Sequence, residues 1–220
     1  MEARDERPSS LKAFEPIRAA SPCLFARSSR VIGCPAASAT AGAQEIAALL
    51  APGLSELCAH VAPSLVEGVV IELVDPGRGD TIAHLARTVR DVLNEVARVD
   101  DDARASMAEP IGAPDWWFRF AGVELLLVTF APCYPAAHPR ASFGPSTFLL
   151  FQPHAVFARR RPPGSEHFPV DVKRAIREAF DASGRGYDAR LSASSIEALK
   201  FVKPLHASDP PVEWWRAGIE

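Results

Sequence analysis

The residues best equipped for chemistry are six histidines, four cysteines and two carboxylates set inside apolar runs. His138 lies in Cys133-Tyr134-Pro135-Ala136-Ala137-His138-Pro139-Arg140, just past the apolar run that ends at Phe130. A loop leaving a buried strand holds side chains near the end of a sheet, where sites are often built. An imidazole there is a candidate ligand for a metal or a haem iron, and Arg140 a candidate partner for an anionic group such as a propionate. The plainer alternative is a turn histidine before a proline, with Arg140 on the surface. His154 follows the next strand-like run, at the same end of the sheet or the opposite one according to chain direction. His84, His167 and His206 read as surface residues, and His60, two positions after Cys58, does not share a helix face with it.

Glu72 interrupts one apolar run and Glu124 another. A carboxylate in such a run is paired, turned outward or used. On neighbouring strands, the two would form a bidentate site for a guanidinium or ammonium group. The cysteines show neither a CxxC pair nor a zinc-ligand spacing. Cys34 and Cys58 read as inert thiols, while Cys23 and Cys133 stay open as thiolate ligands.

The elements that must position these groups are short, because 20 of the 220 residues are proline. Residues 1–40 read as an irregular arm with a helical turn or two near Leu11–Arg18. Apolar spacing over 44–61 predicts helix, which Pro52 should divide into two. Val69–Val74 reads as a buried strand. A helix follows with Asp80 as its N-cap and Ile82, Leu85, Val89, Val92, Leu93 and Val96 on one face. Asp100–Asp102 reads as a solvated loop. Asp115–Phe120 and Val123–Phe130 predict a hairpin turning at Ala121-Gly122. Thr147–Gln152 reads as a further strand, Asp171–Phe180 as a helix stopped by Gly184, and Ser194–Val202 as a last helix. One ring each of Trp116-Trp117 and Trp214-Trp215 should be buried, and Arg159–Arg161 reads as a solvated turn. The whole predicts a single α+β domain over 1–220: a mainly antiparallel sheet with helices packed on one face.

Composition narrows the function classes. Hydrophobic residues make up 48%, enough for a core. The formal charge of −3, with scattered signs, argues against a general nucleic-acid binder. No run reaches a membrane span, and the charged start MEARDERPSS is unlike a signal peptide, so a cytoplasmic protein is expected. Nucleophile-elbow, P-loop, HExxH and GxGxxG motifs are missing, as is the CxxCH of covalent haem attachment.

Several spaced blocks resemble the YqcI/YcgG family. These are Ser21-Pro22-Cys23-Leu24-Phe25-Ala26-Arg27, Phe130-Ala131-Pro132-Cys133-Tyr134-Pro135, His138-Pro139-Arg140 and Phe151-Gln152-Pro153. The tail blocks Phe201-Val202-Lys203-Pro204 and Pro211-Val212-Glu213-Trp214-Trp215 are similar too, so the likeness runs from about residue 10 to about 216. Tyr-Pro with His-Pro-Arg looks most like the haem-dependent guanidine N-hydroxylases of that family, which serve natural-product biosynthesis. The resemblance implies a non-covalent haem b, dioxygen or hydrogen peroxide as oxidant, and N-hydroxylation of arginine or an arginine derivative. It makes His138 the axial ligand, with His154 the alternative, and places Cys23, Tyr134, Arg140 and Gln152 about the cofactor. Glu72 or Glu124 would hold the guanidinium. A homodimer is expected if Trp215 is exposed. The competing readings are a non-catalytic haem sensor or carrier and a haem-free interaction protein.

Overall fold

The computed structural model describes residues 9–23, 25–60, 66–159, 169–186 and 188–218. Five strands form one sheet in the order β1-β2-β5-β4-β3. They are β1 (Val31–Gly33), β2 (Gly68–Leu73), β3 (Phe118–Phe120), β4 (Val123–Phe130) and β5 (Thr147–Pro153). Only β1 and β2 are parallel; every other pair is antiparallel. The α+β architecture with a mainly antiparallel sheet is therefore as the sequence predicts.

Alternate residues of each strand face opposite sides of the sheet, and the two sides bury different partners. Ile71, Leu73, Leu125, Leu127, Leu149 and Phe151 point into the main core. Against them pack α2 (Ala43–Ala59) through Ile46, Leu50, Leu54 and Leu57, and α3 (Ile82–Val96) through Leu85, Val89, Val92 and Val96. Each such side chain taken fully out of water contributes about 1.5–3 kcal/mol. The opposite side carries Val70, Val128, Phe130, Phe148 and Leu150, with Phe14 and Ile17 of α1 (Ser9–Ala20) laid over them. Helices thus cover parts of both faces.

The chain departs from local expectation at several points. The first 40 residues are not an irregular arm, since α1 and β1 both join the folded body. Pro16 and Pro52 lie inside continuous helices, so 44–61 is not split at Pro52. Burial of an apolar stripe on both sides of each proline outweighs one lost backbone bond. Thr81, not Asp80, caps α3, accepting the His84 amide at 3.1 Å, while Asp80 pairs with the His84 ring at 2.6 Å. Asp100 caps a further helix, α4 (Asp101–Ala108), where a loop is expected.

The hairpin forms as predicted: Ala121 and Gly122 both take positive φ, as a two-residue turn between twisted strands demands. Residues 194–202 hold only a short 3-10 turn, Glu197–Lys200. Trp116 and Trp214 are buried, each indole N–H donating to a backbone carbonyl, of Ser106 and Ala198 respectively. Trp215 is half-buried edge-on to Trp214 and is not an exposed ring. Residues 160–168, holding His167, Arg160 and Arg161, lie outside the described residues.

Candidate functional site

Strand direction separates the two candidate histidines. β4 runs toward the His138 loop, and β5 runs back antiparallel to end at Pro153, beside Leu125. His138 and Arg140 therefore sit past the end of β4, and His154 beside its beginning.

At the first end, β3 is too short to cover the far half of β4. Residues 140–141 take over that edge, with the Ala131 amide donating to the Arg140 carbonyl at 3.1 Å. The Arg140 guanidinium donates to the carbonyls of Thr129 (3.3 Å) and Lys200 (3.4 Å) and lies 5.7 Å from the Phe130 ring centroid. It ties β4 to the C-terminal segment and does not reach outward toward a propionate.

His138 is locked in the same clasp. Its ring stacks on Tyr134 with centroids 4.3 Å apart and planes 6° from parallel, while the Tyr134 hydroxyl donates to the Lys203 carbonyl at 2.8 Å. Nδ1 accepts the Arg140 amide at 3.1 Å. The ring proton therefore sits on the other nitrogen, Nε2. Burial, then the charges of Lys203 and Arg140, push the His138 pKa down to about 4. Burial also pushes Lys203 down to about 8 and Arg140 to about 10.

A pH dependence follows. The unfolded ring takes a proton near pH 6.5 and the folded ring only near 4, so stability falls as pH drops from about 6.5 toward 4. His138→Asn keeps an acceptor for the Arg140 amide but cannot titrate. In urea unfolding, the native chain will lose about 1–2 kcal/mol more than this variant between pH 7 and pH 4.5. Equal losses would show that the ring is not held neutral.

At the other end, Pro153 lacks an amide donor, closes β5 and starts α5 (His154–Arg159). The His154 ring lies nearly flat on Trp117, with centroids 4.4 Å and planes 23° apart. Its Nδ1 is 3.3 Å from Glu124 Oε2. A carboxylate only accepts, so Nδ1 carries the proton of the neutral ring and Nε2 keeps its lone pair. Nε2 has no hydrogen-bond partner among the described residues. Arg119, directly across the hairpin from Glu124, pairs with Glu109 instead. Nothing in the local sequence marks Trp117 as a site residue: its neighbour Trp116 is the buried ring of the pair, and Trp117 meets His154 only through the fold.

Glu72 and Glu124 are not brought together. β5 lies between their strands, and Glu72 aligns with Phe148 and Phe130, six residues along β4 from Glu124, or about 20 Å. Glu72 is half-buried and accepts the Ser146 hydroxyl on Oε1 at 2.7 Å; its amide donates to Ser10 Oγ. Gln152, half-buried on the Glu72 side of the sheet, donates to the Glu67 carbonyl at 3.5 Å. Cys23 sits in a turn after α1, its carbonyl accepting the Ala26 amide. Burial raises the thiols of Cys34 and Cys58 to about 12 and Cys133 to about 11, so all three are protonated at neutral pH. Among the described residues no three His, Cys, Asp or Glu side chains converge as a chelating set, and no helix is long and apolar enough to cross a membrane.

Compared with known proteins, the chain matches no family model, no curated protein and no solved structure.

Proposed function

We propose that this protein binds a b-type haem through His154 and N-hydroxylates a guanidino substrate such as arginine. The observation that carries the reading is the His154–Glu124 pair. A carboxylate on Nδ1 fixes the tautomer and leaves Nε2 as the metal-facing atom. Trp117 supports one face of the ring. Leu126 and Val128, half-buried on the same side of β4, add apolar surface of the kind a porphyrin needs.

His138 does not fit the axial role. Its ring is stacked on Tyr134 and Nδ1 accepts the Arg140 amide, so ligation there would strand the Arg140 N–H. His84 also pairs with a carboxylate, Asp80, but stands exposed on α3 away from any apolar face. The ligand expectation therefore moves to the alternative, His154.

Bound haem would supply the oxidising iron, with dioxygen or hydrogen peroxide as co-substrate. The chain's own part is narrower. Glu124 holds the His154 proton at Nδ1. Glu72, about 20 Å along the sheet from Glu124, stands too far away to hold a guanidinium at an iron carried by His154.

The test is haem reconstitution of the full chain followed by its visible spectrum. A Soret band at close to one haem per chain, perturbed by arginine, is the expected result. A band without turnover of arginine by either oxidant would leave a haem carrier. A folded but colourless protein would overturn the reading in favour of a haem-free interaction protein.

A further inference from the structure

One cavity lies away from both histidines. It is a groove of about 590 Å³ between α1 and the segment leading into β1, and a second hollow of about 420 Å³ shares Glu15, Arg18 and Ala19 with it. Its apolar wall is Leu11, Pro16, Ala19 and Val31. Its cations are Lys12, Arg18 and Arg30, with Arg27 in the adjoining hollow.

The charges there are organised. Arg18 crosses between the walls, donating to the Ser29 carbonyl at 3.0 Å and to both Glu15 oxygens at 3.1 Å. Glu15 is thereby spent on Arg18. Glu67, the other nearby carboxylate, accepts the Arg30 amide at 3.3 Å. Lys12, Arg27 and Arg30 are exposed, and no described residue pairs with their side chains. Among the described residues, four cations against two carboxylates leave a local excess of two positive charges, in a chain whose formal charge is −3.

The geometry points to a binding site for a small phosphomonoester, with its dianionic phosphoryl group on Arg27, Arg30 and Lys12 and an aliphatic body along Leu11, Pro16 and Val31. Two positive charges match a phosphomonoester dianion, and guanidinium groups bind phosphate through paired N–H donors. The volume lies within the range of small-molecule sites. Among the described residues no aromatic side chain lines the groove, so they offer no platform on which to stack a nucleobase. The groove shares no residue with the His154–Glu124 pair and is independent of the haem reading.

Titration calorimetry with hexyl phosphate tests the site on the full chain. Saturable one-to-one binding is expected, with hexanol giving none. Replacing the two exposed arginines together, Arg27→Gln with Arg30→Gln, is expected to weaken binding at least about tenfold while the circular dichroism spectrum stays unchanged. Leu11→Ser separates the two halves of the ligand: it should weaken hexyl phosphate and leave inorganic phosphate alone. Absence of saturable binding at millimolar ligand, or binding unaffected by the double arginine variant, overturns the proposal. So does binding only to phosphatidic-acid vesicles, which would make the groove a surface for a lipid headgroup.

Discussion

His154→Ala will lower the haem occupancy of reconstituted protein at least about tenfold, and His138→Ala will leave it near that of the native chain. The contrast rests on what each ring is already doing. His154 presents an Nε2 without a partner among the described residues, its other nitrogen anchored on Glu124, whereas His138 is stacked on Tyr134 with Nδ1 taken by the Arg140 amide. Added imidazole should restore the Soret band of His154→Ala, because truncation leaves a ring-sized gap against Trp117. Glu124→Gln should retain haem more weakly and shift its spectrum, since an amide can donate as well as accept and does not fix the tautomer as a carboxylate does. His138→Ala will instead lose stability, by releasing the Tyr134 stack and the Arg140 amide. Occupancy lost in His138→Ala and kept in His154→Ala would reverse the ligand assignment.

Gly79→Ala will destabilise the fold by about 2–3 kcal/mol, a fall of roughly 5–10 °C in Tm. A Cβ at this position would lie 2.1 Å from Thr147 Oγ1 and 3.0 Å from Ala131 Cβ. Both neighbours are wholly buried, at the start of β5 and the end of β4, so neither side chain can swing into solvent. The Gly79 carbonyl also accepts the Cys133 amide at 2.9 Å, so a shift here is passed to the loop that carries Tyr134 and His138. Thr147 Oγ1 is buried without a hydrogen-bond partner, which makes it the atom most cheaply removed. Gly79→Ala with Thr147→Ala should therefore recover part of the loss, with a coupling of at least about 0.5 kcal/mol. An unchanged Tm for Gly79→Ala would mean that the strand ends yield more readily than this packing implies.

The legible parts of the chain were those decided by neighbours in sequence. The amphipathic stripe from Leu85 to Val96, the positive-φ turn at Ala121-Gly122, the strand over 147–152 and the stop at Gly184 all follow from side-chain periodicity or backbone freedom within a few residues. Even there, local chemistry left ties. Asp80 and Thr81 are both good caps, and the choice of Thr81 freed Asp80 to meet His84. Asp100 in a run of three aspartates looks solvated, yet it caps α4 and also accepts the Ala121 amide, 21 residues away. Pro52 looks like a helix breaker until the stripe on both its sides is buried.

The sequence by itself determined the α+β class, most of the elements and the list of groups able to do chemistry. Which of those groups meet was decided by the tertiary structure alone. β5 inserts between β2 and β4, parting Glu72 from Glu124, and the antiparallel direction of β4 and β5 sends His138 and His154 to opposite ends. Strand order and register depend on burying both faces of the sheet at once. Local periodicity records which face a residue takes, but not which strand lies beside it.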